Sequence, residues 1–135
     1  MKQDLSSKKT QIVFGNDSVV IQKYISGIKG GRTLDMTDYA LSVVHAGQVV
    51  ITDGKGLYKP MPVEGSEGNY VYCSLPAGFN YAGVVYRSVV ASKPAVSIMT
   101  MGEVNIAALP VKMDTIMSEF KAACPHIDFI KDEEA

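Results

Sequence analysis

Two histidines, two cysteines and scattered carboxylates are the side chains from which this 135-residue chain could build chemistry. His45 stands between Val44 and Ala46-Gly47, and His126 follows Pro125. Two isolated histidines make neither a metal site nor a triad, so each reads as a surface or boundary residue. Cys73 and Cys124 lie far apart and fit neither a disulfide framework nor a close-spaced zinc pattern. Both read as buried thiols, because neither neighbourhood supplies a base or a positive charge that would lower the pKa. Asp35 and Asp38, in Leu34-Asp35-Met36-Thr37-Asp38, lack the alternating oxygen ligands and closing glutamate of a calcium loop and read as turn carboxylates. Glu103 falls on an expected strand, where an edge charge is the default and an intersubunit contact the alternative. Gly27, Gly30 and Gly31 match neither GxxxxGK[ST] nor GxGxxG, and are expected in turns and bulges of a β fold. Convergent acid, base and nucleophile are absent from the pattern, so no enzyme, no cofactor and no metal is expected. An activity lost on changing His45 or Glu103 would revive the enzymatic alternative.

The elements that would carry these residues are mostly strands. Nearly half the residues are apolar, which suffices for one core, and the net charge of −1 with interspersed signs argues against nucleic-acid binding. The start, MKQDLSSKKTQIVF, lacks a signal-peptide stretch, and no apolar run approaches the roughly 20 residues that span a bilayer. Synthesis in the cytoplasm and no membrane partner are therefore expected. Residues 1–9 are polar and aperiodic, the composition of a flexible arm, and residues 10–130 are expected to form one β-rich domain. Ile12-Val13-Phe14 and Val19-Val20-Ile21 flank Gly15-Asn16-Asp17 as a candidate hairpin. Val49-Val50-Ile51 and Leu57-Tyr58 flank Thr52-Asp53-Gly54-Lys55-Gly56, a stronger one. Lys59-Pro60-Met61-Pro62 must leave the sheet or run along an edge, since each proline removes a ladder donor. Glu64–Asn69 is a loop, Tyr70–Cys73 a short strand, and Pro76-Ala77-Gly78 a turn. Tyr81–Val90, Val96–Met101 and Glu103–Leu109 follow as three strands, the last two divided by Gly102. Met113, Ile116, Met117, Phe120 and Cys124 recur at helical spacing, predicting a helix over about 114–124 that starts at Asp114, ends before Pro125 and buries its stripe. His126–Ile130 can add a last strand before the charged tail, 131–135. Short strands with turns roughly every 8 to 12 residues point to a compact small β-barrel or sandwich with one short C-terminal helix.

With seven tyrosines, no tryptophan and short β edges, the surface is suited to protein contacts. The ordered set Gly30-Gly31-Arg32-Thr33-Leu34-Asp35, Ala46-Gly47-Gln48-Val49-Val50-Ile51, Gly56-Leu57-Tyr58-Lys59-Pro60-Met61-Pro62, Tyr81-Ala82-Gly83-Val84-Val85 and Gly102-Glu103-Val104-Asn105 resembles the capsid decoration and head-fibre proteins of tailed bacteriophages, including those of gut Bacteroides phages. The similarity spans most of residues 25–125. It implies a virion structural protein on the capsid exterior, a homotrimer that binds the major capsid protein and in some cases another head-fibre protein. It implies no catalytic residue. The arm and first strand, with Lys8, Lys9, Ile12, Val13 and Phe14, would then contact a capsid subunit by edge pairing, or else that strand belongs to the protein's own sheet. Arg32 and Asp35 would fix the turn that follows. The chain lacks the heptads or collagen-like repeats of a fibre shaft, so a cementing knob or fibre base suits it better. The alternative is a bacterial ligand-binding or adaptor β-barrel that grips a peptide or sugar between Tyr70, Tyr72, Tyr81 and Tyr86.

Overall fold

In a computed structural model the chain is described at residues 17–37, 39, 41–66 and 69–131. It is mainly β, and its sheets stack in the manner of a sandwich without closing into a barrel. A helical turn, α1 (Asp17–Val20), leads into the long strand β1 (Ile21–Thr33). Then come β2 (Val43–Val44), β3 (Val49–Thr52), β4 (Tyr58–Pro60), β5 (Val63–Glu64), β6 (Val71–Tyr72), β7 (Asn80–Val85), β8 (Val89–Val90) and β9 (Ala95–Asn105). A 3-10 turn at Ile106–Ala108, the helix α2 (Met117–Ala123) and β10 (Ile127–Ile130) complete the order.

Strand β9 is the spine. The six-stranded sheet runs β1-β9-β7-β3-β4, with β10 also on β9. β1 follows one side of β9 antiparallel, from Ile21 opposite Val104 to Thr33 opposite Ala95. The other side is shared: β7 holds the first half through Val84 opposite Met99, and β10 runs parallel to the second half from Ile127 opposite Gly102 to Ile130 opposite Asn105. The sheet therefore forks. Gly83 makes the fork possible, because its φ of +152° and the approach of the Met99 carbonyl leave no room for a side chain.

Neighbouring residues along the central strands belong to different apolar clusters: Val49, Val84 and Met99 to one, Val50, Val85 and Ile98 to the other. Since successive side chains point to opposite faces, both faces of the sheet are covered. The small β2-β8 sheet brings Val44 to one face, beside Leu34. On the other, Met61, Tyr72 of the β5-β6 pair and the stripe Met113, Ile116, Phe120 and Cys124 close the larger cluster. Phe120 meets Tyr81 of β7 edge-on at 5.5 Å and Phe129 of β10 at 6.0 Å, filling the fork with aromatic rings. The helical stripe is thus core.

The 49–58 hairpin, the edge position of Pro60 and the final strand stand as the sequence implies. Other expectations need correction. Val19 and Val20 form a helical turn instead of a strand, because Val20 is anchored in the core beside Gly47. Gly102 does not divide two strands; β9 runs through it, and its bare Cα faces the Lys23 carbonyl and the Met99 side chain. Leu109 lies beyond a 3-10 turn, where the Asn105 side chain accepts the Ala107 N–H at 3.1 Å. α2 begins at Met117 with Ile116 at its cap, so Asp114 belongs to the preceding turn. Asp38 and the tail residues 132–135 lie outside the described residues.

Candidate interaction surface

The outer edge of β1 is where the molecule offers most to a partner. No described strand pairs with its other side. Its register against β9 slips three times between Ile21 and Gly27, and at one slip Tyr24 lies opposite Gly102 and Ser26 opposite Met101, so Ile25 has no opposite number. Such a bulge bends the strand and re-aims the extra side chain. Ile25 is 52% exposed, the most exposed of the large apolar side chains described. Tyr24, 37% exposed, leans on Tyr86 with ring centroids 4.5 Å apart, and the Arg87 guanidinium stands 5.0 Å from the Tyr86 centroid. Gly27 makes room for the Tyr24 hydroxyl, since a Cβ there would come 2.7 Å from it. Beyond Ile28 the register slips again, around Gly31 at φ +69°.

The charges around the patch are of both signs, with Lys23 and Arg87 on one side of the balance and Glu103 and Asp128 on the other. Glu103, expected at an edge, is on the interior strand β9, flanked by Lys23 of β1 and Asp128 of β10. This placement overturns the edge reading: the cross-strand Lys23 and Glu103 form a complementary pair on one face.

Arg32 and Asp35 do secure the stretch after β1. Arg32 lies 5.7 Å from the centroid of the Tyr58 ring, while the Asp35 N–H donates to the Tyr58 carbonyl at 2.7 Å. Asp35 Oδ1 accepts the Thr37 hydroxyl at 2.7 Å and its N–H at 3.0 Å, and these bonds hold its pKa below the usual carboxylate range. A shallow hollow of about 90 Å³ lies beside this turn, with Tyr39, Lys59, Pro60 and Pro62.

Two polar knots inside the body are structural. Gln48, fully buried, accepts the His45 N–H at 2.6 Å and donates through Nε2 to the Tyr39 hydroxyl at 3.0 Å, which in turn donates to the Val43 carbonyl at 3.1 Å. The buried Asp17 accepts the Ser88 N–H at 2.8 Å and its hydroxyl at 2.6 Å, and the Ser88 Oγ accepts the Ala46 N–H. His45 is half-buried, and desolvation lowers its pKa against a weaker upward pull from Asp17. His126 is exposed. Among the described residues no three His, Cys, Asp or Glu side chains gather where a metal could be held.

The remaining candidates are dispersed. Cys124 is buried, but Cys73 is only half-buried, so the expectation of two buried thiols is half right; desolvation raises both pKa values. Cys73 lines an open cleft of about 270 Å³ with Ser74, Thr115 and Glu119. Tyr72 and Tyr81 are core residues of the larger cluster, and Tyr70 and Tyr86 are partly buried against it, Tyr86 also meeting Tyr24. Lys8, Lys9, Ile12, Val13 and Phe14 lie outside the described residues. Tyr24 and Ile25 carried no signal in the sequence, because exposure of Ile25 comes from a register slip against a strand some 75 residues away. No family model, no curated protein and no solved structure matches the chain.

Proposed function

We propose that the chain is a virion structural protein that decorates or cements the outside of a tailed-phage capsid, or forms the base of a head fibre, by binding the major capsid protein. The observation that carries this is the edge strand β1, on which Tyr24 and Ile25 stand exposed over a two-faced core. A small body with a firm interior and one apolar edge patch is suited to contact and not to turnover. The motifs behind the resemblance supply that interior: Ala46 and Gln48 through Ile51 are buried, as are Val84, Val85, Val104 and Asn105. Binding only to the assembled shell would stabilise the shell by mass action, and a homotrimer reaching several subunits would gain from effective concentration.

Co-sedimentation with undecorated heads of the phage that encodes the chain tests the proposal. Stoichiometric binding is expected. Loss of binding on deleting residues 1–14 would assign the contact to that segment, and survival would assign it to the β body. A protein that stays in the supernatant at every head concentration would overturn the proposal.

A further inference from the structure

The cleft beside Cys73 is walled by two chain segments: Cys73, Ser74 and Leu75, which follow β6, and Thr115, Ile116 and Glu119, at the entry to α2. The segments are fastened to each other where the Thr115 hydroxyl donates to the Tyr72 carbonyl at 3.1 Å and where Val71 bridges Lys112. Phe120, fully buried in the larger cluster, fixes the rotation of α2 and so the side on which Glu119 stands. The volume of about 270 Å³ falls just under the roughly 300–1,000 Å³ of sites that take drug-sized ligands, so the fitting occupant is small.

The walls are chemically one-sided. None of the described lining residues is basic, and Glu119 has no ion-pair partner among the described residues. The Thr115 proton is already given to the Tyr72 carbonyl, so towards the cleft its oxygen only accepts. The Tyr81 hydroxyl, buried without a hydrogen-bond partner among the described residues, lies near enough for the Glu119 charge to add to the rise of its pKa. This corner of the free protein thus leaves both a carboxylate and a hydroxyl unpaired, and such groups call for a ligand or water to complete them.

The walls also sort the ligands. An anion would be repelled by Glu119, and a neutral alcohol would leave the carboxylate uncompensated. The Cys73 thiol, its pKa raised by desolvation and by Glu64, is no ready thiolate for a soft metal. An ammonium group carries three donors and no acceptor, which suits a carboxylate with hydroxyls on both walls, while Leu75 and Ile116 offer apolar surface to a short stem.

We infer that the cleft binds a primary ammonium group on a short aliphatic stem, with the charge beside Glu119 and the stem against Leu75 and Ile116. Such a group arrives on a free alkylamine or as a lysine side chain of another protein. n-Butylammonium is the probe, with butyrate and n-butanol as controls of matched carbon chain and ionic strength. In amide NMR titrations of the full chain, n-butylammonium should shift Cys73, Ser74, Leu75, Thr115, Ile116 and Glu119 saturably, with a dissociation constant on the order of 1 mM. Butyrate and n-butanol should leave these signals in place. Glu119→Gln, at an exposed position, should keep the thermal midpoint and weaken binding about tenfold. Ser74→Ala, also exposed, is the second variant and should weaken it less. An equal response to all three probes, saturation elsewhere or nowhere, or a Glu119→Gln protein that binds as the wild type does would overturn the inference. Nα-acetyl-lysine methylamide separates the sources: binding as tight as that of n-butylammonium assigns the cleft to a protein lysine, and its exclusion while n-butylammonium still binds assigns the cleft to a free amine.

Discussion

The Asp17 carboxylate grips Ser88 twice, one oxygen accepting its backbone N–H at 2.8 Å and the other its hydroxyl at 2.6 Å, across 71 residues of chain. Ser88 Oγ accepts the Ala46 N–H in turn, so three turns are tied at one buried point. Asp17→Ala would strand both Ser88 donors. A loss of about 2 kcal/mol is expected, seen as a lower urea midpoint at unchanged slope. Asp17→Asn keeps one acceptor and should recover part of it.

Two buried tyrosines should respond to removal of the hydroxyl in opposite ways. Tyr72 Oη accepts the Val49 N–H at 3.0 Å, and burial drives its pKa upward. Tyr72→Phe would leave that N–H unpaired in the core, at a cost of about 1–3 kcal/mol. The Tyr81 hydroxyl is buried without a hydrogen-bond partner among the described residues; desolvation raises its pKa, and the nearby Glu119 adds to the rise although its carboxylate lies outside bonding geometry. Tyr81→Phe should be neutral or stabilising. Parallel unfolding curves decide both.

Gly83→Ala tests the fork. The new Cβ would meet the Met99 carbonyl at a backbone angle unsuited to L residues, so a loss of about 2 kcal/mol or more is expected. A melt matching wild type would show that β7 need not part from β9 at this residue.

His45 makes stability pH-dependent. Desolvation lowers its folded pKa below the ordinary histidine value of 6.5, so the unfolded chain binds the extra proton first as pH falls. Its contribution is complete above 6.5 and diminishes as pH drops from there to the folded pKa, below which it is constant. His45→Gln should flatten that part of the profile. Thermal midpoints of both proteins across this window measure it, and identical slopes would remove His45 as the cause.

Local chemistry made some of this fold legible. Asp53-Gly54 marked the hairpin, Pro60 marked an edge, and the spacing from Met113 to Cys124 marked a buried helical face. Glycine misled where its role was contact and not chain reversal: Gly102 lies within a strand because the Lys23 carbonyl leaves space for nothing larger. Val19 and Val20, β-prone by type, turn helically because Asp17 and Val20 are held from far along the chain. The outer patch was invisible for a related reason. Ile25 resembles any strand isoleucine until its partner strand is placed and the register counted.

The spine strand also sets the tempo at which this body can form. β9 can meet β1 only by closing a loop that contains everything from β2 to β8, and β10 joins it later in the chain. Closing so long a loop before any pairing rewards it is an entropic hurdle, and folds dominated by distant pairings mature on the order of milliseconds to seconds. Until then the inner side of β1 is as open as its outer edge. The basic, bulged strand thus also protects the chain in its half-assembled state, when neighbouring nascent copies offer the wrong partners.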